Sequence, residues 1–171
     1  MSYRTVCVCA MVALAVAMVS AQTKMTMSGK CDKADVQQSI SVPDQPAHMY
    51  TLSQGKCSVK GDIGGVAGKD GVYSEHADVM GNHLKNWAVF VETLENGDKV
   101  FYNYQTTATM KDGALQSATN KYQIAGGTGK MKGIKGSGSC KLTGNKDGTL
   151  DYSCMGDYSM GGSAPMKQMK Q

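Results

Sequence analysis

The segment Gln123-Ile-Ala-Gly-Gly-Thr-Gly-Lys-Met-Lys-Gly-Ile-Lys-Gly-Ser-Gly138 carries the first residues that could do chemistry, because Gly-Thr-Gly-Lys130 imitates a loop that cradles phosphate. A phosphate loop needs a glycine five residues before its Gly-Lys, a Ser or Thr after the lysine, and a helix whose first amides meet the anion. Ile124 and Met131 stand at those two positions, and Gly133, Gly136 and Gly138 each cost a helix about 1 kcal/mol. The segment reads better as a glycine-kinked β-hairpin than as a nucleotide site.

Other reactive side chains are sparse. The three histidines, His48, His76 and His83, form no ligand motif, and no metal site is expected. On a strand, Glu75-His76-Ala-Asp78 puts Glu75 on one face and His76 with Asp78 on the other, a base and its orienter without an assignable nucleophile. Catalytic residues therefore stay unassigned, and no cofactor is called for. Of thirteen methionines, Met1, Met11 and Met18 fall in the leader; Met25-Thr-Met27 and Met166-Lys-Gln-Met169 have the soft ligands of a copper(I) site, but core filling explains Met80, Met110 and Met131 more simply. The aromatic residues sit within strand-like runs. If such strands enclose a lumen, Phe90 and Phe101 supply apolar wall, and Asn103, Gln105 and Tyr122 supply the polar groups that orient a small, mostly apolar ligand.

The elements that must position these residues are strands. Eight are expected, near 48–54, 56–63, 72–80, 83–94, 98–110, 114–124, 131–142 and 149–158, with a short helix between Asp32 and Ile40 as an option. Asn96-Gly97 marks a two-residue turn pairing Val91 with Tyr102, Val89 with Tyr104 and Thr93 with Val100; Asp70-Gly71, Asp112-Gly113 and Asp147-Gly148 mark further reversals. Both faces of these strands come out mixed. That suits a closed, up-and-down antiparallel barrel with a few polar groups inside better than a sandwich.

Residues 1–21 read as a secretory signal: Arg4, an apolar run from Val6 to Val19, and Val19-Ser20-Ala21 before Gln22. The run is short for a membrane span and is not repeated, so a secreted or periplasmic product is expected, with 22–158 as one domain and 159–171 as a disordered tail. A net charge of +4 spread over singly spaced lysines gives no nucleic-acid footprint, and the oligomeric state is not legible. Beyond the leader, Cys31, Cys57, Cys140 and Cys154 lack zinc-finger spacing. Cys140 and Cys154 lie symmetrically about Asp147, so a hairpin brings them opposite each other as a disulfide. Cys31 and Cys57 then pair by elimination.

Gly126-Gly-Thr-Gly-Lys130 followed by Gly133-Ile-Lys-Gly136 resembles the Gly-Gly-Thr-Gly-Lys/Arg-Phe-x-x-Ala-x-Gly segment of dirigent proteins and allene oxide cyclases, and is similar to small secreted bacterial proteins allied to that barrel. The match spans about a dozen residues. Met131 replaces an aromatic, Ile134 replaces alanine, and the amino-terminal half matches neither plant family. The resemblance implies an eight-stranded, calycin-like barrel whose lumen holds an apolar small molecule. It also implies action by confinement: dirigent proteins steer radical coupling without a redox centre, and the cyclases shape an epoxide that closes on itself. None of their catalytic side chains maps onto this chain.

Overall fold

A computed structural model describes residues 22–111 and 114–161. The expected signal, the Asp112-Gly113 reversal and all but the first residues of the expected tail lie outside them. Ten strands form one antiparallel sheet: β1 (Thr23–Cys31), β2 (Val36–Ser41), β3 (His48–Ser58), β4 (Lys60–Ile63), β5 (Val66–Met80), β6 (His83–Leu94), β7 (Lys99–Lys111), β8 (Ala114–Gly127), β9 (Lys135–Gly144) and β10 (Leu150–Ser159). Pairing of β1 with β10, from Thr23 opposite Tyr158 to Cys31 opposite Leu150, closes the sheet into a ring.

Ten strands replace the expected eight for a reason visible in the register. The pairings Met27–Gly61 and Cys31–Cys57 of β1 run on almost in phase into Val36–Gln54 and Ser41–Met49 of β2. Thus β1 with β2, and β3 with β4, are two long strands, each interrupted once, and the ring has eight positions filled in chain order. Sequence reading missed β1 and β2. No helix forms between Asp32 and Ile40, where β2 lies exposed along its whole length against β3.

Three turns also differ from expectation. Asp70-Gly71 lies inside β5, at a register shift between Gly68 and Asp70; the reversal is at Gly64-Gly65, whose φ values of 61° and 73° make the two-residue turn between Ile63 and Val66. After β6 the loop has three residues: Leu94 N–H donates to the Asp98 carbonyl, and Gly97 alone takes positive φ, 83°. Val91 consequently faces Phe101, Val89 faces Asn103 and Thr93 faces Lys99, one residue out of the expected register. A slip of one moves every side chain of β7 to the other face. Finally, β9 begins at Lys135, because Gly129–Met131 forms a 3-10 turn.

That turn shuts one end of the ring. Thr128 Oγ1 accepts from Lys99 N–H at 2.8 Å, Asp98 accepts from Lys130 N–H at 3.0 Å, and Met131 and Ile134 drop into the interior fully buried. They pack in one apolar cluster with Ile63, Leu94, Val100, Ile124 and Tyr158. The Gly-Thr-Gly-Lys segment is therefore a hairpin turn that plugs the ring, and Lys130 stands exposed. Both disulfides form, Cys31–Cys57 and Cys140–Cys154, each between residues directly opposed on neighbouring strands. All four cysteines are thereby removed from metal binding, and two disulfides fit an oxidising compartment. Among the described residues no helix is long and apolar enough to cross a membrane.

Candidate functional site

Alternation along each strand sends one set of side chains inward. Above the apolar plug this set surrounds a cavity of about 710 Å³ that extends to the rim at Asp32, Gly81, Asn82 and Gly148. Its wall is apolar and aromatic: Met27, Phe90, Tyr102, Tyr122 and Tyr152 toward the plug, then Ala77, Ala108 and Ala118, then Met49, Leu84, Met110 and Leu115 near the rim. Both disulfides line it.

The large rings fit because the wall gives way opposite them. Tyr152 faces Gly29, Tyr73 faces Gly55 and Tyr122 faces Gly138, each as the directly paired residue of the neighbouring strand. A Cβ at Gly138 would meet the Tyr122 hydroxyl at 2.3 Å, and one at Gly55 would meet the Tyr73 ring at 2.7 Å. These glycines let an aromatic side chain lie flat across the strand. Gly138, expected as part of a glycine-kinked hairpin, serves here for close approach.

A belt of polar side chains crosses the wall. Ser53 Oγ donates to Glu75 Oε1 at 2.8 Å, and Asn86 Nδ2 donates to Glu75 Oε2 at 2.7 Å, with Tyr104 OH donating more weakly at 3.4 Å. Asn86 Oδ1 accepts from Thr106 N–H, and Thr106 Oγ1 accepts from Asn120 Nδ2. Among the described residues Asn120 Oδ1 and the Tyr122 hydroxyl end without a partner, although Asn120 is 6% exposed and Tyr122 is 4% exposed. Buried polar atoms left unpaired in this way cost stability. Nearer the plug, Tyr102 OH donates to Glu92 Oε2 at 2.5 Å.

Burial dominates the electrostatics. Desolvation raises Glu75 and Glu92 above the ordinary carboxyl range, opposed in part by their hydrogen bonds. It also raises Tyr102, Tyr104 and Tyr152, and pushes Tyr122 up to about 12. A carboxyl whose pKa is raised by burial in a cavity wall holds its proton more readily than a solvated one, which is the direction a general acid needs.

Of the residues expected to meet a ligand, Phe90 and Tyr122 line the cavity. The register slip turns Asn103 and Gln105 outward, into a broad groove on the outer face shared with Trp87, Val89 and Lys121, and Phe101 lies half-buried on that outer side opposite Val91. Sequence reading missed Asn86, Thr106 and Asn120 altogether. Their signal was present: Asn86, Thr106 and Asn120 stand at inward positions of strands whose other inward residues, Glu92 apart, are mostly apolar or aromatic. The expected His76–Asp78 pair does not form. His76 stacks on Trp87 outside the ring with ring centroids 5.3 Å apart, His83 is exposed, and Asp78 accepts from His48, whose other ring nitrogen meets Asp44 at 2.6 Å. His48 thereby ties the β2–β3 turn to β5, and the Asp44 hydrogen bond raises its pKa. Glu75, separated from His76 by the strand's alternation, does face the cavity.

The chain matches no protein-family model and no curated protein. Two solved structures of pterocarpan synthase dirigent proteins, GePTS1 and PsPTS1, are similar to it, with TM-scores of 0.46 and 0.44 and identities of 12% and 13%. Each alignment covers 82% of this chain, and 92% and 97% of the two dirigent chains respectively.

Proposed function

We propose that this protein is a secreted or periplasmic barrel that binds a small, mostly apolar ligand in its interior without changing it covalently. The observation that carries the reading is the cavity of about 710 Å³, apolar and aromatic over most of its wall, with Glu75 and Asn86 among its few polar groups. Ligand sites of a few hundred cubic ångströms with a few placed polar groups have this make-up. A structural envelope protein with a filled core accounts for the plugged end but not for the space above it.

A second reading, confinement-type cyclase or isomerase activity of the dirigent or allene oxide cyclase kind, is favoured by one feature: Glu75, a carboxyl of raised pKa, stands in the cavity wall beside Tyr104. A small substrate folded against it could receive a proton while the rings limit its conformations.

The test is titration with a neutral apolar fluorophore, N-phenyl-1-naphthylamine. Saturable binding to the parent chain and its loss in Ala108→Trp, which fills the middle of the cavity, is the expected outcome. Equal binding by the two proteins places the fluorophore elsewhere and contradicts the reading.

A further inference from the structure

We infer that the cavity takes a protonated organic amine, whose ammonium pairs with the Glu75 carboxylate and is faced by tyrosine rings. The inference deepens the reading of the same cavity as a ligand site. Its first support is the sign of charge. Among the described residues, those that line the cavity include two acids, Asp32 and Glu75, and no lysine, arginine or histidine, in a chain whose net charge is +4. A buried carboxylate without a counter-ion is costly, and a ligand cation supplies one.

The second support is the direction of the hydrogen bonds. Within the polar belt Ser53 and Asn86 donate to Glu75, Thr106 N–H donates to Asn86, and Asn120 Nδ2 donates to Thr106. These bonds converge on Glu75, whose carboxylate accepts from Ser53, Asn86 and, weakly, Tyr104 and still has one of its roughly four lone-pair sites left over in the cavity it lines. An ammonium has three donors and no acceptor, whereas a carboxylate ligand has only acceptors and would meet like charge. The third support is aromatic. Tyr73, Phe90, Tyr102, Tyr104, Tyr122 and Tyr152 all line the cavity, and ring faces attract a desolvated cation.

The titratable groups around Glu75 are Tyr73 on its own strand and Tyr104 on β7, and Asp32 and Asp35 of the β1–β2 loop act on Tyr73 from the rim side. From β3 and β6 Glu75 meets neutral Ser53 and Asn86, and Lys33 lies at the rim against Gly148. Burial raises Glu75, so its charge, and with it the attraction for an amine, fades as pH falls through the folded-state value.

Calorimetry with three molecules sharing one ring system separates charge from shape: tryptamine, tryptophol and indole-3-acetate. Tryptamine should bind the parent chain about tenfold or more tightly than tryptophol, as a charge-assisted hydrogen bond provides, and indole-3-acetate most weakly. Glu75→Gln should bring tryptamine down to the tryptophol level while leaving tryptophol within about twofold, and acidification should weaken tryptamine alone. Tryptophol binding as tightly as tryptamine overturns the amine inference and leaves an uncharged ligand in the same cavity. Failure of all three to bind, with the neutral fluorophore still bound, overturns it as well. Loss of the fluorophore too would sink the cavity reading beneath it.

Discussion

Glycine and aromatic residue form the smallest unit of this architecture. Gly29 is the most constrained case, since a Cβ there would lie 2.0 Å from the Ser58 carbonyl oxygen and 2.6 Å from the Tyr152 hydroxyl. The Ser58 carbonyl belongs to the backbone and accepts from that same hydroxyl at 2.8 Å, so neither atom can yield alone. Gly29→Ala should cost about 2–3 kcal/mol, the range of an overpacked core. Gly65→Ala meets nothing within 4 Å and pays only for its φ of 73°, about 1 kcal/mol. Chemical denaturation of the pair checks both; equal losses would show that backbone conformation, not ring contact, fixes these glycines. Glu92 allows a second prediction at this scale. Its folded-state pKa is raised, chiefly by burial, so its contribution to stability is whole below the unfolded value and is lost as pH rises through the folded one. Glu92→Gln should therefore melt above the parent at about pH 8, with the margin narrowing toward about pH 4. A margin independent of pH would mean that the carboxyl does not titrate differently on folding.

Strands and turns decide which of those residues meet. The Cys140–Cys154 register was legible because the Asp147-Gly148 turn lies midway between two cysteines, and a disulfide tolerates no slip. At Asn96-Gly97 the sequence signal is just as strong, but the residues permit a two- or a three-residue loop, and the choice depends on which faces of β6 and β7 the rest of the ring buries. Phe90, Glu92, Val100 and Tyr102 inside won, which put Asn103 and Gln105 outside. In β1, Met25, Met27 and Cys31 alternate inward and could have been read as a strand, whereas β2 is exposed throughout and carries no such pattern. Cys31–Cys57 sits where β1 passes from β4 to the end of β3, and its cysteines are 26 positions apart. Replacing both with serine should lower stability by about 3–4 kcal/mol, from the loop entropy returned to the unfolded chain. A loss below about 1 kcal/mol, read from denaturant unfolding of the double variant, would show that strand pairing alone holds this joint.

At the scale of the whole molecule, the ring joins its first and last described strands and fills only one of its two ends. The expected all-β meander was legible from turn spacing. The division into plug and cavity was not, because it depends on where the hairpin that carries Met131 and Ile134 folds back, and on glycines whose partners lie on other strands. What distinguishes a binding interior from residual space is whether a molecule enters it. Ala77, Ala108 and Ala118 report from the cavity wall, while Ala47 and Ala125 lie outside it. The decisive measurement is a carbon–proton correlation spectrum of alanine-methyl-labelled protein, recorded through a titration with N-phenyl-1-naphthylamine. Saturable shifts at Ala77, Ala108 and Ala118, with Ala47 and Ala125 still, are the result expected of an interior ligand site. Shifts confined to Ala47 or Ala125, or none at any of the five as the fluorophore is raised to its solubility limit, would contradict it.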